Sequence, residues 1–112
     1  MVNNTIDSEA QEWIQIILGF LERLLDIQKA RLHFTLDIDF FNSQFDKPQV
    51  KLSRDGGGVN KMTGLIWINP VSVKSRIYLL NVLVHEAIHV KYPDMSEKNV
   101  QALADYLVRL YD

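Results

Sequence analysis

No cysteine occurs among the 112 residues. A disulfide framework and a thiolate metal knuckle are therefore both excluded, and a reducing compartment suits the protein. Positive charge is also short: 12 lysines and arginines stand against 14 acidic residues, for a formal net charge of −2. With no basic surplus to neutralise phosphates, a nucleic-acid partner is not expected. Long apolar runs are missing too. The densest, WIQIILGFLERLL, is too short to span a bilayer and carries Glu22 and Arg23. The opening MVNNTIDSEAQEW is polar and acidic, unlike the basic start of a secretory signal. No membrane association and a soluble, cytoplasmic protein are the expectation. There is no repeat and no linker, and three consecutive glycines are the only compositional oddity.

What is present is a sequence that is 47% hydrophobic, enough for one small domain, residues 1–112, with a thin core. Residues 8–31 read as a long helix with Ser8 as N-cap and Gln11 as its capping-box partner. Its apolar face is wide, with one row through Ile14, Ile17, Leu18 and Leu21 and a second through Trp13, Ile16, Phe20 and Leu24. That width suits a core helix, or one that also meets another subunit or a substrate. Alternation of Phe34, Leu36, Ile38 and Phe40 predicts a strand over 33–41. QVKLS predicts a second strand and residues 65–69, closed by Pro70, a third. The glycines of 54–64 read as a mobile loop or hairpin tip, unsuited to a strand interior and lacking the residues of a phosphate-binding loop. A helix capped by Ser72 or Ser75 should run to Lys91, where Pro93 stops it, and a last helix should start near Asp94 or Ser96. The class is α+β: a long N-terminal helix, a small three-stranded sheet, then two C-terminal helices.

The penultimate helix carries VHEAIHV, in which His85, Glu86 and His89 form H-E-x-x-H. Residues four apart share a helix face, so two imidazoles can grip one ion. Glu86 sits beside that face, where it can act on a water without taking a coordination site. Zinc brings such a water to a pKa of about 7. A carboxylate can then draw its proton during attack on a carbonyl and return it to the leaving amine. Five residues thus supply two ligands and a general base. The alternative is a hydrogen-bonded pair of core histidines beside a surface glutamate.

HEAIH inside this strand–helix setting resembles the zincin metallopeptidases, and residues 85–107, HEAIHVKYPDMSEKNVQALADYL, are similar to the gluzincin branch. The short sequence resembles the minigluzincins in size and element order. The resemblance implies a Zn2+ cofactor and a minimal zincin-like fold. It implies His85 and His89 as metal ligands, Glu86 as the catalytic base, and a third ligand from the following helix. Glu97 is the expected third ligand and Asp94 the alternative, although Asp94 and Glu97 also read as an N-cap with its capping-box glutamate. Gln101 stands where many gluzincins carry an acidic residue that supports a histidine, and Asp105 lies one turn later. The resemblance also implies that the strand over 65–69 lines the cleft and pairs with an extended peptide. Minigluzincins are held inactive by their C-terminal segment, a part that would fall here to the last helix. His33 reads as a strand-terminus residue, and Tyr78 and Tyr92, near the histidine face, receive no role. The expected function is hydrolysis of a peptide or protein substrate. The alternatives are a zinc-containing peptide-binding module and a regulatory protease with one partner.

Overall fold

The computed structural model describes residues 8–111. Helix α1 (Ser8–Leu24) leads to strand β1 (His33–Thr35), the short helix α2 (Ile38–Asn42), and the hairpin of β2 (Gly57–Val59) and β3 (Leu65–Ile68). A 3-10 turn at Pro70–Lys74 then introduces α3 (Arg76–Lys91) and α4 (Glu97–Tyr111). The fold is α+β, with a long N-terminal helix, a three-stranded sheet and two C-terminal helices. No described helix is long and apolar enough to cross a membrane.

Strand β3 is central, parallel to β1 and antiparallel to β2. All four of its residues are buried, and they divide by period two. Ile66 and Ile68 enter the main core with Ile14 and Leu21 of α1, Leu83 and Ile88 of α3, and Val100 and Ala104 of α4. Leu65 and Trp67 enter a second cluster with Phe41 and Val50 on the opposite face. The Trp67 indole donates to the Leu36 carbonyl at 3.3 Å, which ties this second layer to the sheet.

Three expected elements are corrected. Helix α1 ends at Leu24, not near 31, because Asp26 adopts φ 53° and the helix is closed off by Ile27 N–H to Glu22 O at 2.9 Å and Asp26 N–H to Arg23 O at 3.3 Å. That is a Schellman closure with aspartate in the left-handed seat usually given to glycine. The strand expected over 33–41 stops at Thr35, because the Asp37 carboxylate accepts from Phe40 N–H at 3.0 Å and caps α2 instead. QVKLS forms no strand; the second strand in sequence lies in the glycine segment, at Gly57–Val59. A side chain on Gly57 would come within 2.5 Å of Val82 Cγ1 and 3.1 Å of the Trp67 carbonyl. Bare backbone is therefore what lets β2 lie between β3 and α3.

Polar side chains steer the backbone into β2. Asn69 donates to Leu52 O at 3.0 Å and Asp55 O at 2.8 Å, and the Ser72 hydroxyl donates to Gly56 O at 2.9 Å. Asn69 Oδ1 also accepts from Val71 N–H at 3.2 Å and caps the 3-10 turn.

Candidate metal centre and cleft

Ser75 caps α3, accepting from Tyr78 N–H at 3.3 Å. The helix that follows is buried nearly all round, from Leu79 to Val90. It ends at Tyr92, whose N–H reaches Ile88 O at 2.7 Å. A short connection containing Pro93 then turns the backbone to return along α3. Ser96, not Asp94, caps α4: its hydroxyl accepts from Asn99 N–H at 3.2 Å. Glu97 therefore stands in the first helical turn, where the helix dipole favours a carboxylate. Val100, Ala104 and Val108 pin α4 into the core behind it.

These constraints bring three side chains together. Glu97 Oε1 lies 2.6 Å from His89 Nε2, and Glu97 Oε2 lies 3.2 Å from His85 Nε2. The imidazole centroids are 5.0 Å apart, one ring edge-on to the other. One ligand atom from each of the three residues falls within a span of 4.8 Å, so the group could hold a metal ion. Around a tetrahedral zinc at about 2.0–2.1 Å, donor atoms stand roughly 3.3 Å apart, so to hold an ion the three side chains would draw together and exchange the direct Glu97–His89 contact for one through the metal. The His-His-carboxylate donors are also a set that zinc accepts. Glu97 is largely exposed, with 73% of its side chain open to solvent, so the cluster sits at a mouth and not in a sealed core.

Glu86 lies in the same cleft, one residue from His85 but buried. Among the described residues no hydrogen bond satisfies its carboxyl. Burial, reinforced by the negative charges of Glu97 and Asp55, pushes its pKa up to about 8, with Lys61 opposing. Burial also lowers the pKa of His89. His89 Nδ1 is buried and finds no hydrogen-bond partner among the described residues. Asn69 and Ser72, the other two buried polar residues, are fully engaged in the loop contacts described above. Among the described residues the one fully buried side-chain atom without a partner, His89 Nδ1, thus lies at the cleft, where a lost hydrogen bond costs roughly 1–3 kcal/mol.

The cleft encloses about 400 Å³. Backbone of β2 forms one wall, with Phe41 and Val50 beyond it and Lys61 and Asp55 as charged lining. The cleft-side strand is β2. The expectation that residues 65–69 line the cleft is corrected, because β3 is paired on both sides and has no free edge.

Other candidates lie elsewhere. Asp94 is not part of the three-residue cluster. His33 Nδ1 sits 3.0 Å from Arg31 O at the start of β1, among residues that line a different surface hollow. Gln101 turns its amide to Asp105 at 2.8 Å, and Asn81 donates to the same carboxylate at 3.2 Å, so this trio is engaged with itself. Tyr78 packs beside Gly56, and Tyr92 caps α3 at its C-terminus. Residues 57–59, Lys61 and Asp55 entered no reading of the sequence as cleft residues. The signal for β2 was the turn at 60–64, where Gly64 N–H returns to Asn60 O at 2.8 Å and Gly64 takes φ +81°.

Comparison with protein-family models, with curated proteins and with solved structures finds no match to this protein.

Proposed function

We propose that this protein is a zinc-dependent peptidase. One observation carries the reading: His85, His89 and Glu97 converge on a single point at the mouth of a cleft whose floor holds a buried carboxyl without a hydrogen-bond partner, Glu86. Zinc, when bound by those three residues, supplies a Lewis acid and brings water towards a neutral pKa. The Glu86 carboxylate takes the proton from the attacking water and returns it to the leaving amine. Burial raises its pKa in the metal-free site, and a bound cation beside it would favour the carboxylate that the first half of that shuttle needs. Strand β2 offers the peptide an edge, since its other edge is already paired with β3. The reading carries a peptide or protein substrate and a cytoplasmic setting, which the cysteine-free sequence suits.

The test has two arms. Elemental analysis of the purified protein should find close to one zinc per molecule, lost in His85→Ala and His89→Ala. Zinc-loaded wild type should cleave a peptide library, and Glu86→Gln should keep its zinc while hydrolysing about 100- to 10,000-fold more slowly. A folded sample without metal, or cleavage undiminished in Glu86→Gln, removes the reading. The unpartnered Nδ1 of His89 favours one alternative, a zinc-containing binding module with little turnover, because a ligand imidazole without an acceptor behind it is a weaker ligand. That module would bind peptides equally well with and without Glu86→Gln and cleave none.

A further inference from the structure

Lys61 projects from the turn between β2 and β3 into the lining of the cleft. Its ammonium donates to the Pro93 carbonyl at 3.0 Å, across 32 residues of sequence, and so stands at the α3–α4 connection beside the His89 and Glu97 end of the cleft. Among the described residues Lys61 forms no ion pair; a backbone oxygen is its one acceptor, which leaves ammonium protons free. The opposite end of the cleft is different. Asp55 there is already held by Arg54 at 2.9 Å and by Lys51 N–H at 2.9 Å. Apart from the imidazoles, Lys61 is the only cationic side chain among the described residues that lines the cleft, which also presents Asp55, Glu86 and Glu97. Glu97 would be spent on the metal and Asp55 is held by Arg54, so neither neutralises Lys61, whose ammonium is left to pair with a substrate carboxylate.

We infer that Lys61 is a specificity residue that selects peptides bearing a carboxylate at the Glu97 end of the cleft, an inference that rests on the peptidase reading above. The carboxylate comes from an acidic side chain or from the carboxy terminus of the peptide; the chemistry at the ammonium is the same.

The test uses zinc-loaded protein and quenched fluorescent octapeptides sharing one cleaved core, flanked by aspartate, asparagine or lysine, each made as free acid and as amide. Wild type should prefer the aspartate set over the asparagine set about fivefold in kcat/KM, the size of one exposed ion pair, mostly through KM and less so at high salt. A preference that follows the free acid and not the aspartate assigns the carboxy terminus as the source. Lys61→Met keeps the aliphatic stem and should erase the preference; Lys61→Glu should reverse it in favour of lysine. Lys61 is exposed, so both variants should fold, which circular dichroism checks. An equal loss on all three peptide sets would mean that the Lys61–Pro93 contact only braces the loop, and overturns the inference alone. Equal cleavage of all sets by wild type does the same. Wild type that cleaves nothing overturns the peptidase reading, and the same peptides are then scored by binding to the zinc-loaded protein. Affinities indifferent to peptide charge and to Lys61→Glu overturn the inference as well.

Discussion

Helices α1 and α3 are nearly equal in length, 17 and 16 residues, and break the usual rules of burial in opposite directions. Helix α1 buries Ala10, Ile14, Ile17, Leu18 and Leu21 and leaves a second apolar row, Ile16, Phe20 and Leu24, in solvent. Helix α3 buries nearly its whole girth, and among the buried residues are Glu86 and His89. An exposed apolar residue costs a soluble protein little, because most surfaces contain many. A buried carboxyl is costly to ionise unless a charge or a ligand compensates, and Glu86 keeps its proton up to about pH 8. The surplus on α1 is therefore compatible with a purely structural helix, whereas the surplus on α3 faces the cleft, where the proposed reading puts a ligand.

Truncation and metal removal should separate the two helices. Ile14 is fully buried in the main core. Ile14→Ala should cost about 2–5 kcal/mol by urea denaturation, equally with and without zinc, because the cavity is indifferent to the cleft. Removing metal with a chelator should cost about 4 kcal/mol if zinc had been present at a thousand times its Kd. His89→Ala should abolish that second effect and leave the first untouched. A chelator that leaves the wild-type melting temperature unchanged would break the contrast.

The pH dependence of the metal-free protein sharpens it further. Glu86 titrates near 8 in the folded protein against 4.5 when unfolded. Between those values the unfolded carboxyl has lost its proton and the folded one keeps it, so stability falls as pH rises and levels off above 8. His89 has the opposite sign. Its folded pKa lies below the ordinary 6.5, so its contribution is intact above 6.5 and is lost as pH falls. The interval from 6.5 to 8 therefore isolates Glu86, and stability should drop there by about 2 kcal/mol. Glu86→Gln should flatten that slope. A slope that survives the substitution would assign it to another group.

How much of this was legible depended on how local the cause was. The limits of α3 and α4 were readable because Ser75, Pro93 and Ser96 act within one turn of themselves. His85 and His89 were readable as a pair for the same reason, since helix spacing alone sets them on one face. The end of α1 was not, because Leu25 and Ile27 continue the helical pattern past Asp26, which nonetheless takes the left-handed turn. The alternation at 33–41 was real, yet one capping contact from Asp37 outweighed it. The wall of the cleft was hidden most deeply. Gly57 has poor strand propensity, and its place between β3 and Val82 of α3 is set by long-range packing that no local pattern encodes.

The smallest effect concerns the exposed row of α1. Phe20 is 43% open to solvent and Ile16 64%. Phe20→Gln should change stability by less than about 0.5 kcal/mol, as surface substitutions away from caps and charges usually do. Glutamine is a good helix former, so propensity adds almost nothing against it. The comparison with α3 then holds in its strongest form: the apolar surplus is neutral, and the polar surplus is not. A stabilising surface contact would show itself in two ways. Phe20→Gln would lower the melting temperature well beyond that limit, and the wild-type melting temperature would rise with protein concentration, because a self-associating face gains from mass action. Both together would mean that the α1 row is an interface. The rule that separates the two helices would then become a difference between two kinds of site, one apolar and one ionic, and no longer between scaffold and site.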